Sequence, residues 1–433
     1  MVQVHSAAPF PSRLDGLFDM SGLARATSFL KSEWRFLLFG FLLAFFSSPG
    51  QTFFISLFSG IIREELSLSH GDFGTIYAIG TLASAATLIP LGRLADTIKL
   101  RKIALAIIVG LSLAALHFSF VASVFSLAIG IYFLRLSGQG MMSHLYATAM
   151  TRRYEAERGR ALSVAIFGHP VSEFLMPLFV FALLALMPWR QVWQMTSLLV
   201  IIIMVPAALF LTTRSAAQDG GGVNALPTGR DGHHWTRGQV LRDTRFWLLS
   251  GMVLAPSFSS TGLFFHQIYF VEVKEIALST WVAGYAFFST FSILASFAGG
   301  FLVDKFTAQK LAPLAVASLC FAPITLYLIT GGNAVFIYFS IFGIAQGLSY
   351  SATNPIWAEI YGTKHLGAIK AVAQSMMVFA SAQSPVTLGL MIDWGWSLGG
   401  LLLVLGSIPV IAGIMAYIAI NVIRQAPPQA QRD

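Results

Sequence analysis

Twelve long apolar runs follow one another along this chain, and they constrain its fold more than any other feature. A helix needs about 20 mostly apolar residues to cross roughly 30 Å of hydrocarbon. Such runs predict helices at 36–60, 73–95, 103–122, 124–150, 159–186, 192–212, 246–271, 281–303, 311–330, 335–360, 367–392 and 397–423. Because lipid offers the backbone no hydrogen-bond partner, each run must be helical. The sequence therefore predicts an all-α polytopic membrane protein.

The composition excludes an ordinary water-soluble domain. Hydrophobic residues make up 56% of the 433 residues and charged residues only 11%, whereas a soluble domain carries roughly 25% charged residues. The mean hydropathy of +0.73 agrees, since a water-facing exterior cannot be so apolar. The net charge of +8 does not indicate a nucleic-acid partner, because the basic residues lie in short clusters between the apolar runs.

The distribution of lysine and arginine predicts the orientation. With a cytoplasmic N-terminus, 23 of the 27 basic residues fall in inside segments, and only Arg63, Arg190 and Lys274 fall in outside loops. Arg135 belongs to no loop. An excess of basic residues marks cytoplasmic segments. We expect a multi-pass protein of a cell membrane, best matched by a bacterial inner membrane, with both termini in the cytoplasm.

The runs fall into two groups of six. The predicted organisation is an N-terminal tail 1–35, a six-helix bundle 36–212, a cytoplasmic linker 213–245, a second bundle 246–423 and a tail 424–433. The linker is rich in Gly and polar residues and cannot bury a core. Its His233-His234 pair has no further ligand at metal-binding spacing, so no metal site is expected. We expect a monomer.

The two bundles are related in sequence. The segment 92–96 (GRLAD) after the second helix recurs 208 positions later as 300–304 (GFLVD) after the eighth. In the fourth helix of each half, Gln139-Gly140 recurs as Gln346-Gly347 after 207 positions. Two similar bundles that face each other can rock about a solute site near mid-membrane and open it to one side at a time.

Twelve helices, a central linker and a Gly-x-x-x-Asp basic loop in each half resemble the major facilitator superfamily. The usual loop of that family reads Gly-x-x-x-Asp-Arg-x-Gly-Arg-Arg/Lys. Here Gly92 and Asp96 match, Arg101 supplies the basic end one step late, and the second copy keeps Gly300 and Asp304. The resemblance implies a solute transporter in which these loops form a charge latch that closes the cytoplasmic side.

Three polar residues lie near mid-membrane in the fourth and fifth helices. An arginine at the depth of Arg135 costs roughly 2.5–3.5 kcal/mol even on the lenient insertion scale, so it must face water or a partner. Glu173 lies at similar depth, and His169 shares its helix face because residues four apart stack on a helix. Arg135 and Glu173 either form a structural ion pair or handle substrate and protons.

The second alternative has a clear chemical logic. Arg135 stays charged and presents a planar fork that matches a carboxylate, so it is the natural anchor for an anionic substrate. A Glu173 carboxyl that alternates between pairing with Arg135 and holding a proton would couple proton entry to anion entry. His169 could pass that proton, or it could be a hydrogen-bonded core histidine beside the Pro170 break.

Further polar side chains at the expected cavity depth are candidate substrate contacts. They are Gln51, Gln139, Gln346, Tyr350 and Asn354. The serines that surround Gln51 could equally return hydrogen bonds to their own helix backbone. No ATP-binding loop is present, so we expect no cofactor and a proton gradient as the driving force.

The segment before the seventh helix refines the resemblance. LRDTRFWLLS (241–250) is similar to the same segment in the monocarboxylate and oxalate/formate branch, where Arg-x-Phe-Trp is common. Arg245 at the interface and Trp247 in the aromatic belt explain those residues without a substrate role. Together with Arg135, the segment favours a proton-coupled symporter of a small carboxylate.

Two alternatives remain. A proton-driven exporter of amphipathic compounds would keep the fold, but exporters carry a Gly-Pro pair and then Gly-Gly in the fifth helix, where this chain has Gly168-His169-Pro170. A membrane enzyme would need clustered metal ligands or a nucleophile with a base nearby. A sensor would carry an added soluble domain. The histidines are scattered, so we expect no enzyme, and the short tails argue against a sensor.

Overall fold

The computed structural model of the chain describes residues 20–92, 98–154, 157–212 and 234–425. The first half contains α1 (Met20–Phe45 and Thr52–Leu66), α2 (His70–Gly92), α3 (Leu100–Phe118), α4 (Val124–Arg153), α5 (Arg158–Ile166 and Gly168–Leu184) and α6 (Trp189–Leu211). The second half contains α7 (Thr244–Phe265, then Gln267–Val273), α8 (Leu278–Phe306), α9 (Ala308–Leu328), α10 (Val335–Thr353 and Ile356–Tyr361), α11 (Leu366–Asp393) and α12 (Leu398–Gln425).

The predicted all-α polytopic fold is confirmed. Within the described residues, eleven helices are long and apolar enough to cross a membrane, and the two parts of α1, bent by 43°, make twelve spans if they are counted as one. The bend follows a 3₁₀ turn at Ser48–Gly50, where Pro49 removes a backbone donor. Apart from α1, and from the predicted end of the second helix at residue 95, which lies outside the described residues, the predicted helix ends lie within a few residues of the observed ones. An apolar run and its polar flanks mark the membrane boundaries.

The first helix begins earlier in the chain than the apolar run that predicts it. α1 is helical from Met20, so the described part of the predicted tail 1–35 continues into the first span. An apolar run shows where a helix is in lipid and does not show where it ends, because helix outside the membrane can carry polar side chains to water. Residues 1–19, and with them the start of the predicted tail, lie outside the described residues.

The end of the predicted linker is folded. A short helix, Arg237–Arg242, begins at Thr236, whose side chain forms a reciprocal capping box with Gln239. The backbone N–H of Trp235 donates to the Tyr361 carbonyl at 3.1 Å, which ties this segment to the end of α10. Residues 213–233, including His233, lie outside the described residues.

The two halves meet along two helix pairs. α2 packs against α11 and α5 packs against α8, while the closest packing inside the halves pairs α3 with α6, α8 with α10, and α7 with α11 and α12. Small residues permit the close approach: a Cβ added to Gly74 on α2 would meet the Pro385 carbonyl oxygen on α11.

The chain ends and the loops define two faces of the bundle. On the face that carries the described chain ends, here called the terminal face, the Arg153 guanidinium and the Tyr154 hydroxyl donate to Glu33 at 2.9 Å and 2.8 Å. On the opposite face, here called the far face, Arg190 at the start of α6 pairs with Glu65 at the end of α1 at 2.6 Å. If the predicted orientation holds, the terminal face is cytoplasmic.

Candidate transport site and gates

Arg135 lies inside the first half and is held by neutral groups. Its side chain is 2% exposed, and Nη1 donates to the Gly50 carbonyl at 3.0 Å and to the Thr52 hydroxyl at 3.4 Å. The guanidinium carbon lies 5.2 Å from the centre of the Tyr77 ring, within the range of a cation–π contact. The Tyr77 hydroxyl is 2.7 Å from Thr52. One end of the guanidinium is therefore fixed at the bend of α1.

The other edge of the guanidinium is unused. Nε is buried without a hydrogen-bond partner, and neither Nε nor Nη2 of Arg135 donates to any residue in the described ranges. No described carboxylate forms an ion pair with Arg135, so the structural Arg135–Glu173 pair that the sequence left open is not formed in this structure. A buried donor without a partner costs about 1–3 kcal/mol.

The backbone around Arg135 is irregular. Residues Arg135–Met142 form a π-helical segment inside α4. Gly138 in this segment and Gly50 in α1 pack so closely that a Cβ on Gly138 would lie 2.8 Å from the Gly50 Cα. π-helical turns in α-helices are frequent at functional sites. Here the segment carries both Arg135 and Gln139, and Gln139 is half-buried with no side-chain hydrogen bond among the described residues.

Glu173 on α5 faces the boundary between the halves. It is half-buried and forms no hydrogen bond or ion pair within the described part of the chain. The hydroxyls of Tyr285 on α8 and Tyr350 on α10 lie within electrostatic range of its carboxyl. Tyr350 is 53% exposed although Glu173 and Tyr146 of the other half lie close to it, so it borders an open space between the halves.

His169 contacts a residue that the sequence did not single out. Its Nε2 lies 3.2 Å from the hydroxyl of Tyr146 on α4, and the two rings meet edge to face at 5.7 Å. His169 and Glu173 share a face of α5 as predicted from their spacing. This contact agrees with both roles considered for His169, a hydrogen-bonded core residue and a residue that passes a proton.

Most polar residues of α1 form local hydrogen bonds at the bend. The hydroxyls of Ser47 and Ser48 donate to the carbonyls of Ala44 and Phe45 at 2.7 Å and 2.8 Å, which is the back-bonding alternative expected from the sequence. Gln51 is half-buried, and its Nε2 donates to the Ser47 hydroxyl at 3.2 Å. Gln51 thus has a local partner in this structure.

The second half contributes hydroxyl and amide groups. Gln346 is 3% exposed and accepts a hydrogen bond from Ser260 at 2.6 Å. The hydroxyls of Thr261 and Ser381 lie 2.9 Å apart. Asn354 is exposed, and its Nδ2 donates to the Tyr350 carbonyl at 3.2 Å.

The predicted latch residues on the terminal face are only partly described. Gly92 ends α2, and its carbonyl lies 3.1 Å from Nε2 of His144 on α4. Arg101 is exposed, and no atom of the described residues would lie within 4 Å of a Cβ added to Gly300. Asp96 and the Asp304 side chain lie outside the described residues. The charge latch therefore stays a prediction.

The far face is closed by hydrogen bonds that cross between the halves. Gln267, the first residue of the second part of α7, is fully buried, and its Nε2 donates to the Ser56 hydroxyl at 2.8 Å and to the Phe53 carbonyl at 3.3 Å in α1. Its Oε1 accepts from the Tyr285 hydroxyl at 2.8 Å and from Trp281 Nε1 at 3.0 Å. This satisfied amide joins α1 to α7 and α8.

A carboxylate makes the second crossing. The Asp393 oxygens at the end of α11 accept the backbone N–H groups of His70 and Gly71, at 3.1 Å and 2.8 Å, at the start of α2. A carboxylate is favourable there because of the unpaired N–H groups and the positive end of the helix dipole. Between described residues, all side-chain hydrogen bonds that cross the halves lie at the far face, so this structure is closed on that side.

The segment before α7 has local structural contacts. Arg245 pairs with Asp243 at 3.2 Å, and the Asp243 side chain caps the start of α7 by accepting from the Arg245 backbone N–H. Trp247 is 51% exposed, and its Nε1 donates to the Leu241 carbonyl at 3.0 Å. These contacts explain the segment without substrate, and the monocarboxylate or oxalate/formate branch stays a prediction.

The membrane-spanning helices of the described residues, their arrangement in two halves and the closed far face agree with a family match. A model of the Major Facilitator Superfamily matches residues 40–385. The chain belongs to this superfamily. Its members are transporters, so this chain is a transporter and the predicted absence of enzymatic activity agrees with the family. A search of the curated proteins gave no match.

Solved superfamily structures share the fold. A bacterial homolog to the human lysosomal transporter Spinster, in an inward-facing and unoccupied conformation, matches with a TM-score of 0.69 and 17% identity over 91% of this chain and 98% of that chain. The inward-facing and occupied conformation matches with a TM-score of 0.65 and 17% identity over 90% of this chain and 95% of that chain. At this identity the likeness shows the fold alone.

Proposed function

We propose that this superfamily member is a proton-coupled symporter of a small organic anion. The observation that carries the proposal is the free edge of Arg135, whose Nε is buried without an acceptor. The proposal assigns substrate binding to Arg135 and proton binding to Glu173.

The chemistry of Arg135 favours a carboxylate. An unpaired buried cation is costly, and its described partners are a carbonyl, a hydroxyl and an aromatic ring, none of which carries a formal negative charge. The Nε–H and Nη2–H groups point in the same direction, and this edge matches the two oxygens of a carboxylate. Nη1 keeps its bond to Gly50 and holds the guanidinium in place for such a ligand.

Glu173 supplies a separate site for the proton. Because no described cation neutralises its carboxyl, Glu173 is free to hold a proton or to release it to water in the space between the halves. A bound anion cancels the charge of Arg135 and a bound proton cancels that of Glu173, so only the doubly loaded protein buries no uncompensated charge. Burial of uncompensated charge is unfavourable, and this difference couples the two ligands.

Ligand binding is the first test. Purified protein is screened by thermal shift against small carboxylates, each matched with its neutral amide, because a bound ligand stabilises the folded state. We expect at least one carboxylate, and not its amide, to raise the melting temperature. Arg135→Gln should abolish this rise and Arg135→Lys should weaken binding at least about tenfold. The control Arg35→Gln, which changes an exposed arginine, should behave as the parent chain does.

Two outcomes of this screen would contradict anion binding at Arg135. If a ligand stabilised Arg135→Gln as much as the parent chain, or if each amide bound as well as its acid, Arg135 would not be an anion anchor. The carboxylate found in this screen then serves the transport test.

Proton coupling is measured in proteoliposomes that contain a pH-sensitive dye. Uptake of the carboxylate should acidify the lumen of vesicles that contain the parent chain. Glu173→Gln should still equilibrate the anion but should not acidify the lumen or concentrate the anion along a proton gradient. Acidification by Glu173→Gln would contradict the assignment. A lumen that became alkaline during uptake would favour the proton-driven exporter instead.

A further inference from the structure

Two histidines of different halves meet at the closed far face. His70 begins α2, and His266 lies between the two parts of α7; their ring centres are 6.1 Å apart. His266 is 3% exposed, and its Nε2 lies 3.2 Å from the Pro385 carbonyl. The ring of Tyr269 meets His70 edge to face at 5.2 Å. The two imidazoles approach each other only because the far face is closed.

Charged groups from every neighbouring helix surround the pair. Arg63 at the end of α1 lines the same small pocket as both histidines, together with Ser59, Phe73, Phe265 and Tyr269. Asp393 from α11 and Glu272 from the second part of α7 lie within electrostatic range of Arg63. Asp393 is already engaged by the two backbone N–H groups at the start of α2.

This arrangement has little capacity for added positive charge. With both histidines neutral, the charged groups that the described residues place around the pair are one cation, Arg63, and two carboxylates. Protonation of both rings would place three cations in and around one small pocket, with one of the two carboxylates committed to the α2 backbone. Separation of α2 from α7 would move the two rings apart and expose them to water, where each charge is solvated.

We propose that His70 and His266 form a proton-binding site that controls the far gate, so that proton binding from the far side opens it. If the predicted orientation holds, the far face is the side from which a proton gradient drives transport. Protons would then favour the conformation that can receive them together with substrate. This inference goes beyond the proposed function, because it involves neither Arg135 nor Glu173.

The test measures the distance across the gate without any substrate. Spin labels are attached to cysteines at Glu64 on α1 and Trp394 after α11, both exposed on the far face, in the Cys320→Ser background. Distance distributions are recorded in lipid nanodiscs at about pH 7.5 and about pH 5.5, which lie on either side of the ordinary pKa of a histidine side chain. In the parent chain we expect a longer-distance population that grows at least about fivefold at the lower pH.

The variants identify the sensor. His70→Gln combined with His266→Gln should keep the short distance at both pH values, since glutamine preserves an N–H donor near Pro385 but cannot be protonated. Asp393→Asn should raise the open population at both pH values and keep the pH response. If the parent distribution did not change with pH, or if the glutamine variant responded as the parent does, the proposal would be overturned.

Two further variants keep the result interpretable. If the double variant does not fold, His70→Gln alone should show a smaller pH response than the parent chain, and an unchanged response would contradict the proposal. Glu173→Gln should keep the full gate response. Failure of proton-coupled uptake with an intact gate response would then refute the proposed function alone, whereas loss of the pH response in Glu173→Gln would overturn the gate assignment.

Discussion

Replacement of Gln267 by leucine tests how the far face is held closed. The side chain is fully buried, and its two Nε2 hydrogen bonds to Phe53 and Ser56 cross from one half to the other. A hydrogen bond contributes about 0.5–1.5 kcal/mol net, so the loss of two removes about 1–3 kcal/mol from the closed state. A coupling of that size changes the ratio of closed to open molecules by about 5- to 150-fold.

The change acts on the closed state in a second way. Trp281 Nε1 and the Tyr285 hydroxyl both donate to Gln267 Oε1 and would lose their acceptor. These donors are buried when the gate is closed, and opening would give them access to water. The cost of leaving them unpaired therefore adds to the shift towards the open state.

The assay is the distance between spin labels at Glu64 and Trp394 at neutral pH, with Gln346→Leu as the matched control. Gln346 is also a buried glutamine, but its hydrogen bond to Ser260 stays within the second half. We expect Gln267→Leu to increase the long-distance population and Gln346→Leu to leave it unchanged. Equal distributions in the two variants would refute the conclusion that this amide holds the halves together.

Three further predictions concern stability. Gly50→Val should lower the unfolding free energy by about 1–3 kcal/mol, because a Cβ there would meet the Leu134 carbonyl oxygen. Gly159→Val, where a Cβ would have no described neighbour within 4 Å, is the control in the same thermal-unfolding measurement. Glu33→Gln should cost about 1–3 kcal/mol in denaturant titration by weakening the charge-assisted bond from Tyr154, and an unchanged midpoint would contradict this. Burial, and then the hydrogen bond to Glu33, raise the pKa of Tyr154 above its ordinary value of 10.0. The folded chain keeps a proton that the unfolded chain releases, so stability should fall as pH rises through about 10, and Tyr154→Phe should reduce that fall.

The sequence singled out the residues of the candidate transport site but not their partners. Arg135 and Glu173 stand out because a charge in an apolar run is costly and therefore informative. Their spacing along two different helices does not say whether they touch, and in this structure they form no ion pair. The bend of α1 brings the Gly50 carbonyl to Arg135 instead, and a backbone carbonyl leaves no signature in a sequence.

The residues that close the far face could not be identified from the sequence either. Gln267, His70 and Asp393 lie near helix ends, where polar residues are common, so nothing in the local sequence marks them as a set. The sequence interpretation placed His266 and Gln267 in the helix predicted at 246–271 and left His70 and Asp393 outside the predicted helices. A helix end that begins with unpaired N–H groups could have suggested that α2 needs a cap, but not that the cap would come from α11.

The amino-acid sequence by itself determined the helices, the division into two related halves and the superfamily resemblance. These features follow from local hydrophobicity and from repeated spacing, which any segment carries within itself. Only the tertiary structure decided that Arg135 keeps a free edge, that Glu173 faces the opposite half, and that His70 meets His266 at a closed gate. These contacts join residues far apart in the chain, and their geometry depends on how whole helices pack, which no single segment encodes.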